Sequence, residues 1–503
     1  MTTVWALGDQ LSRRRGPLAD DPDRVLLVEA AAFARRRRYH PQKLVLVFAA
    51  MRHLRDDLRE DGVAVVYERA ETFGEGLDAY FEQHPGDDLV VQRPASHGAA
   101  DRLRELVESR GGSLDVVTNE NFLCQPAQFD DWQGTEPPYD HESFYRAMRR
   151  ETGYLVDGDG NPEGGEWNYD DQNRETPPAD YESPALPSFE YGEHVSAVRE
   201  WVAGEFDTWG DPEGFDWPVT REQAERALAD FLEHRLPAFG PYEDAVLAED
   251  WHLEHSLLSS ALNVGLLDPR EVVEAAIDEY RSREDVPLNS VEGFVRQIIG
   301  WREFVRHVYR LEMPDLAAAN QLGADRDLPP LYWNPDATDM ACLSSAVDRV
   351  HDRGYAHHIE RLMLLSNFAL TYGASPQALN DWFHGGFVDA YHWVVTPNVV
   401  GMGVFGTDAF TTKPYAASAN YVDRMSDHCA GCAFDPDATV GERACPFNSL
   451  YWDFLAAHED RLRSNHRMGL VYSHLDDKRD AGDLEAIRQR ARRVRRRAAA
   501  GDL

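Results

Sequence analysis

The sequence predicts an α/β amino-terminal domain with a doubly wound parallel sheet, followed by a large all-α domain. Short, continuously apolar runs alternate with helical patterns over the first 120 residues. Strands of this kind are buried on both faces, which is typical of a parallel sheet covered by helices. After about residue 220 the strand-like runs stop, and apolar residues recur at helical spacing instead.

The first domain has six strand-like runs, which cover residues 3–7, 24–29, 43–49, 63–68, 88–92 and 114–118. Ligands of such sheets bind at the carboxyl ends of strands, where the strand order switches direction. The GDQL motif at residues 8–11 directly follows the first run. It therefore occupies a candidate binding position.

The chain is expected to form two domains, because 503 residues exceed one ordinary core. Residues 1–125 form the sheet domain in this prediction. Residues 126–220 are polar and rich in Pro and Gly, which indicates an interdomain linker or loop layer. Residues 221–503 form the helical domain, in which segment 290–309 places its apolar side chains on one helical face.

The net charge of −37 arises from 88 acidic against 51 basic residues. Such a surface repels itself in dilute buffer, whereas molar salt shortens the Debye length to ~3 Å or less. We therefore expect a halophilic protein. The charge does not exclude a nucleic-acid partner, because the arginine runs at 13–15, 35–38 and 492–497 could contact a DNA backbone. They could equally be solvated helix faces.

No apolar run approaches the ~20 residues that span a bilayer. The amino terminus lacks the basic-then-apolar layout of a signal peptide. We expect a cytoplasmic protein with no membrane partner.

Four of the five cysteines are candidates for one metal site: Cys342, Cys429, Cys432 and Cys445. The last three are spaced C-x2-C-x12-C, and Cys124 stands alone. A disulfide framework is disfavoured in a reducing compartment. Spacing alone leaves open a structural zinc, in which His428 could replace one thiolate, a four-iron cluster, and buried free thiols.

Eight segments, in the same order along the chain, resemble the iron–sulfur branch of the photolyase/cryptochrome family, which comprises prokaryotic (6-4) photolyases and related bacterial cryptochromes. They are WALGDQL, RRYHPQKLVLVFAAMRH, PEGGEWNYDDQNR, FGPYEDAV, HSLLSSALNVGLLDP, VEGFVRQIIGWREFVR, GYAHHIERLM and the cysteine block from residue 406 onward. The resemblance implies a photolyase fold, FAD in the helical domain, and four cysteines that hold a [4Fe-4S] cluster. This cluster would mainly fasten the carboxy-terminal helices.

The resemblance also implies two groups of flavin-binding residues. One group would hold the FAD diphosphate: Ser256, Ser259 and Asn263. The other would line the flavin and the lesion: Gln297, Trp301 and Arg302. From the residues alone, the first group is more typical of helix-capping hydroxyls, and the second is typical of an amphipathic core helix.

His358 is the first candidate for proton delivery to the lesion, and His357 is the second. Adjacent helical residues point about 100° apart, so one of the two faces a given cavity. A group that titrates near neutrality suits this role, although a structural histidine remains the alternative.

Two tyrosines in KPYAASANY match residues that line the lesion side in relatives, Tyr415 and Tyr421. Their aromatic faces could stack on an extruded dinucleotide. Lys413 and Arg424 could contact phosphate.

For electron transfer to the flavin, Trp382 resembles the inner tryptophan of the family and Trp333 a distal one. Phe383 stands where relatives often have tyrosine, and phenylalanine is much harder to oxidise. Most of the 12 tryptophans are expected in the core.

The sheet domain of the family carries an antenna chromophore, in this branch commonly 6,7-dimethyl-8-ribityllumazine. The matching residues here are Gly8, Asp9, Gln10, Leu11 and Tyr39, with His40 and Lys43 in the second segment. Asp9 could accept a hydrogen bond from a ribityl hydroxyl or a ring N–H.

Together these observations predict a monomeric (6-4) DNA photolyase that acts on UV-damaged DNA with photoexcited reduced FAD. One alternative is a cryptochrome-like blue-light photoreceptor of the same fold without repair activity. The other is a non-photochemical iron–sulfur DNA-binding protein of the kind found in primase large subunits. The cysteines alone permit this last alternative, but the sheet domain and flavin motifs argue against it.

Overall fold

A computed structural model describes residues 3–178 and 180–503. Its amino-terminal domain contains a five-stranded parallel sheet. The strands are β1 (Thr3–Ala6), β2 (Arg24–Ala30), β3 (Ala64–Ala70), β4 (Asp88–Gln92) and β5 (Ser113–Val117), in the order β3-β2-β1-β4-β5. The order reverses between β1 and β4, so residues 8–11 follow β1 at the switch point.

One of the six predicted strands is wrong: residues 43–49 lie within helix Pro41–Glu60. His40 caps this helix by accepting a hydrogen bond from the Gln42 backbone, and Pro41 occupies its first turn. The helix packs against β2, β3 and helix Glu193–Glu205, so most of its residues are buried. Because this helix is buried on nearly all sides, its residues form a continuous apolar run, and such a run resembles a buried strand.

Three other helices accompany the sheet, Ala31–Ala34, Phe73–Gln83 and Ala99–Glu108. The predicted linker is not only loop, because it contains helices Pro126–Gln133, His141–Thr152 and Glu193–Glu205. Several linker side chains belong to the same core as the sheet and the first helices of the helical domain. The linker therefore packs as a structural layer between the two domains.

The helical domain follows from residue 221. Its α-helices are Arg221–Asp230, Leu236–Tyr242, Ser259–Val264, Pro269–Ser282, Leu288–Val295, Glu303–Glu312, Asp315–Ala318, Ala341–Arg353, Asn367–Tyr372, Pro376–Gly386, His392–Thr396, Ala419–Met425, His428–Gly431, Pro446–Ala457, Glu459–Leu462, Gly469–Asp480 and Leu484–Ala500. The pattern at 253–267 yields a helix only from Ser259 onward. No helix in the described ranges is long and apolar enough to cross a membrane.

Four π-helical segments interrupt these helices, at Phe231–Arg235, Arg296–Arg302, Glu360–Ser366 and Pro397–Gly403. A π turn inserts an extra residue and redirects the side chains that follow, and it occurs often at functional sites. The last three segments all contribute side chains to one interior cavity.

Candidate functional site

The principal cavity of the helical domain has a volume of about 310 Å³. Its walls include seven residues that the sequence singles out: Ser256, Ser259, Asn263, Gln297, Trp301, Arg302 and His358. Segments that are far apart in the chain thus converge on one space. The remaining wall is mostly apolar, which suits a large planar ligand with a polar tail.

Asp389 organises the polar end of the cavity. Its side chain accepts a hydrogen bond of 2.7 Å from Ser259, and its backbone carbonyl accepts one of 2.9 Å from Asn263. Arg361 donates to both carboxylate oxygens at 3.0 Å. Burial alone would raise the pKa of Asp389, but the Arg361 charge and these hydrogen bonds lower it below its ordinary value. Asp389 therefore carries a negative charge, and the hydroxyl and amide beside it are held in place.

Trp301 and Arg302 lie at the end of the π segment Arg296–Arg302. The Trp301 ring stacks on His141, with ring centroids 3.8 Å apart. Arg302 pairs with buried Glu303 at 2.9 Å, and its guanidinium lies over the Phe122 ring at 4.4 Å. Each of the two side chains is held by these neighbouring residues, so this part of the cavity wall is preorganised for a ligand.

His358 faces the cavity, whereas His357 points away from it into the core. The His357 ring stacks on His255 at 4.5 Å, and its Nε2 lies 3.6 Å from the Glu360 carboxylate. His358 is an exposed residue because its side chain opens onto the cavity, and protein atoms crowd around this cavity. Burial, followed by the charges of Arg361 and Arg296, lowers the pKa of His358 to about 4.

Tyr415 and Tyr421 do not belong to the cavity wall. Both are partly buried against the core of the carboxy-terminal helices. The charges of Asp170 and Arg174 act on both phenols, and Asp170 also acts on His358. The two tyrosines and His358 are therefore influenced by the same Asp170 charge, but only His358 lines the cavity.

Glu243 is a cavity residue to which the sequence analysis assigned no role. Its carboxylate accepts hydrogen bonds from Gln297 at 2.7 Å and from Asn173 at 3.0 Å. Burial raises its pKa to about 7, although the nearby Arg296 charge opposes this shift. In the sequence, Glu243 is the first carboxylate of FGPYEDAV, a segment that served only to show the resemblance to the family. Arg361 was missed in the same way within GYAHHIERLM, whereas Asp389 lies outside every segment that carried the resemblance.

The four candidate cysteines line a second, small cavity, with apolar neighbours that include Met340, Val422 and Phe447. Cys342 lies in the first turn of helix Ala341–Arg353, and Cys445 caps helix Pro446–Ala457. Burial raises the pKa of Cys445 to about 12 and that of Cys342 well above its ordinary value, and neighbouring thiols add to both shifts. Thiolates in such a space need a positively charged partner.

Within the described ranges, no three His, Cys, Asp or Glu side chains form a group that could hold a metal ion. A zinc site would bring its thiolates within ~2.3 Å of one ion. Cysteine thiolates are ligands of zinc and of iron–sulfur clusters alike, so four thiols that line one apolar space suit either group. His428 also lines this cavity, whereas Cys124 lies in a different core.

Of the two predicted electron-transfer residues, Trp382 is buried and Trp333 is exposed. Phe383, not Trp382, lies on the wall of the principal cavity. The Trp382 ring packs behind it, 5.3 Å from the Phe383 ring.

The predicted antenna residues do not surround one cavity. Gly8 is closed in by helix Pro41–Glu60, because an added Cβ would meet Val47 at 2.9 Å. Gln10 donates to the Gln92 carbonyl, and the Leu11 amide donates to the Val264 carbonyl in the helical domain. A cavity of about 10 Å³ beside β1 includes Gln10 alone of the five residues.

Two further residues of the antenna set lie close to the domain boundary. Burial raises the pKa of Asp9 to about 6. Tyr39 is buried, and the Lys43 ammonium lies 5.2 Å from its ring. A chromophore at this position would require side chains to move.

The arginine runs are largely paired with carboxylates. The pairs are Arg13–Asp61, Arg14–Glu271, Arg15–Asp268, Arg35–Glu71, Arg37–Asp381, Arg38–Asp207, Arg492–Glu485, Arg495–Asp453 and Arg497–Asp502. Because these guanidinium groups already have anionic partners, the arginine runs are better explained as solvated helix and loop surface than as a DNA-binding face.

Comparisons with known proteins agree with this architecture. Residues 4–217 match the family model described as deoxyribodipyrimidine photo-lyase-related protein. A protein of Agrobacterium fabrum named (6-4) photolyase is 40% identical over 481 residues, which cover 93% of this chain and 94% of that protein.

Two solved structures have a similar fold. The structure of a bacterial class III photolyase from Agrobacterium tumefaciens covers 84% of this chain and 86% of its own, with a TM-score of 0.57 at 18% identity. The structure of an archaeal photolyase from Sulfolobus tokodaii covers 84% and 87%, with a TM-score of 0.55 at 14% identity.

The parallel sheet and the helical cavity domain together form a photolyase fold. Because the match to the Agrobacterium fabrum protein spans nearly both chains, the chain belongs to the photolyase/cryptochrome family, in its deoxyribodipyrimidine photo-lyase-related, prokaryotic (6-4) branch.

Proposed function

We propose that this protein is a (6-4) DNA photolyase, a lyase that binds UV-damaged DNA and reverts pyrimidine (6-4) pyrimidone photoproducts in light. One observation carries the proposal. A single cavity gathers seven residues selected from the sequence, His358 among them, in a chain 40% identical to a named (6-4) photolyase over 93% of its length.

The cavity residues suit FAD. FAD, when bound, reduced and photoexcited, would supply one electron to the lesion and take it back. The Ser256 hydroxyl and the second N–H of the Asn263 amide can donate to its diphosphate. Ser259, whose one hydroxyl proton goes to Asp389, would join them by turning that proton toward the diphosphate. Trp301 and the apolar side chains opposite would exclude water from the ring system.

His358 would move a proton at one imidazole nitrogen. Its pKa of about 4 leaves the ring neutral at neutral pH while the cavity holds no lesion. DNA phosphate, and then the negative charge that reaches the lesion, would raise that pKa because an opposite charge favours the protonated ring. Proton delivery would thus follow the arrival of charge. Tyr415 and Tyr421 would border the extruded bases from outside the cavity.

We propose a [4Fe-4S] cluster for the cysteine site. The support is the donor set: Cys342, the pair Cys429 and Cys432, and Cys445 come from three chain segments and border one space with apolar walls. Their bonds would fasten helix Ala341–Arg353 to helix Pro446–Ala457. The role of this cluster would be structural.

We also propose an antenna chromophore of the ribityllumazine type. This proposal rests on the position of GDQL at the carboxyl end of β1 and on the raised pKa of the Asp9 carboxyl. We further propose a monomeric cytoplasmic enzyme with an antenna domain at residues 1–125, a linker at 126–220 and a catalytic domain at 221–503.

A repair assay tests the proposal. The purified, flavin-loaded protein is given oligonucleotides that carry a single (6-4) photoproduct or a single cyclobutane dimer, in blue light and in darkness. We expect repair of the (6-4) product in light only. Repair of the cyclobutane dimer alone would contradict the proposed substrate. Light-driven flavin reduction without repair of either lesion would support the photoreceptor alternative.

Within the same assay, His358→Asn tests the proton donor. We expect most of the repair rate to be lost while flavin content stays at the wild-type level. The matched control is the same substitution at His474, an exposed residue of helix Gly469–Asp480. Equal repair by both variants would remove His358 from the mechanism.

A further inference from the structure

Three indole rings form a continuous contact path from the back of the flavin cavity wall to the protein surface. Trp382 and Trp209 have ring centroids 6.0 Å apart, and Trp209 and Trp333 have centroids 5.4 Å apart. Their exposed fractions rise outward, from 1% for Trp382 through 8% for Trp209 to 41% for Trp333. The middle ring comes from the linker, which the sequence analysis did not consider for this role.

Trp209 is held in position from several sides. Its indole N–H donates to the Trp333 carbonyl at 3.0 Å, and its backbone N–H donates to the Tyr39 carbonyl at 3.2 Å. The next residue, Gly210, has a φ of +117°, and an added Cβ would come within 2.2 Å of the His40 ring. Only glycine fits this backbone conformation and this close contact. Gly210 therefore lets the chain pass close to His40 while Trp209 lies between the other two indole rings.

The alternatives beside Trp382 are poorer electron donors. Phe383 and Phe387 contact the Trp382 ring at 5.3 and 5.7 Å, but a phenyl ring is very hard to oxidise. Tyr332 lies 5.1 Å away and is fully buried, with its O–H donated to the Leu365 carbonyl at 2.7 Å. Oxidation of a tyrosine requires loss of its phenol proton, and burial raises the pKa of Tyr332. Trp209 is therefore the oxidisable neighbour that leads outward.

We propose that Trp209 is the relay through which electrons pass from exposed Trp333 to Trp382 during light-driven reduction of the flavin. The inference rests on the proposed flavin function. A bound flavin, oxidised and photoexcited, would take one electron from Trp382. Trp209 would then reduce Trp382, and Trp333 would reduce Trp209. A thiol in solution would give one electron to Trp333 and release its proton, and two of the resulting thiyl radicals would combine into a disulfide. No bond of the protein forms or breaks.

The test compares Trp209→Phe with Trp201→Phe as a matched control. Trp201 comes from the same linker but packs against Phe48 and Phe206, away from this path. The rate of flavin bleaching under blue light is followed by absorbance with excess thiol, at equal flavin content. For Trp209→Phe we expect a loss of about tenfold or more, which corresponds to about 1.4 kcal/mol of added barrier. The control should keep the wild-type rate.

Two further readouts separate a relay from a structural role. Transient absorption should show a long-lived tryptophan radical in the wild type and rapid charge return in Trp209→Phe. Dark reduction of the flavin by dithionite should proceed equally in both proteins. Trp209→Tyr, which keeps an oxidisable ring, should recover part of the rate, and it provides the test if the phenylalanine variant does not fold.

Wild-type photoreduction rates in Trp209→Phe would overturn the relay. So would a selective loss in Trp251→Phe, since Trp251 contacts Tyr355 of the cavity wall at 5.9 Å and could begin a different path. A wild-type protein that binds no flavin, or that reduces it in light without repairing DNA, would instead contradict the proposed function. The two failures are therefore distinguishable.

Discussion

Arg361 holds the carboxylate of Asp389 through two contacts of 3.0 Å at the polar end of the flavin cavity. The pair joins the π segment Glu360–Ser366 to the loop before helix His392–Thr396. Asp389 in turn accepts from Ser259, so the ion pair sets the position of a hydroxyl proposed to bind the FAD diphosphate. The pair was invisible in the sequence because its partners lie 28 residues apart.

We expect Asp389→Asn to weaken flavin binding, because Ser259 loses its charged acceptor and the partly buried Arg361 loses its carboxylate partner. A loss of about 1.4 to 3 kcal/mol would correspond to roughly 10- to 100-fold in Kd. Flavin titration of the apoprotein measures this effect. The control is Asp381→Asn, which breaks an exposed pair with Arg37. Equal affinities for the two variants would contradict the role of Asp389.

Cys342→Ser should abolish the iron–sulfur cluster, whereas Cys124→Ser should leave it intact. Both thiols are buried, but only Cys342 lines the cavity shared with Cys429, Cys432 and Cys445. Iron and acid-labile sulfide per chain, together with the thermal unfolding midpoint, provide the measurement. We expect the midpoint of Cys342→Ser to fall most, since the cluster bonds fasten separate helices. Full iron content in that variant would eliminate the proposed ligand set.

Glu243→Gln should become more stable relative to the wild type as the pH rises. Burial raises the pKa of Glu243 from its ordinary 4.5 to about 7, so the folded state binds a proton that the unfolded state has lost. The stability that this proton contributes is present below pH 4.5 and is lost between about pH 4.5 and 7. The difference between the two proteins should reach about 3 kcal/mol across that window.

Chemical denaturation at several pH values measures this difference. Glu249→Gln changes the same residue type in the loop that follows and serves as the control. A constant difference between Glu243→Gln and the wild type from pH 4.5 to 7 would show that Glu243 has an ordinary pKa.

The thermal unfolding midpoint should rise by several degrees with added KCl. The net charge of −37 leaves an acidic surface whose repulsion acts over about 10 Å at 0.1 M salt and about 3 Å at 1 M. Differential scanning calorimetry in both salt concentrations measures the shift. NaCl should act equally, since the effect is one of screening. An unchanged midpoint would argue against the halophilic interpretation.

The sequence was sufficient for the α/β and all-α architecture, since continuous apolar runs and a period of 3.6 residues report local burial directly. It failed at residues 43–49, where a helix buried on nearly all sides has the composition of a buried strand. The cysteine spacing indicated a metal site but left zinc and iron–sulfur open. Only the family resemblance favours iron–sulfur over zinc.

Local pattern determined which helices and strands form, and the order of motifs determined the family. Only the tertiary structure decided which of two adjacent histidines reaches the cavity. It also decided that Arg361 pairs with Asp389. The position of Trp209 between Trp382 and Trp333 is likewise visible only in the folded protein. The physical reason is that these relationships depend on packing between segments that are distant in the chain. Spacing along one segment carries no information about which distant segment will face it.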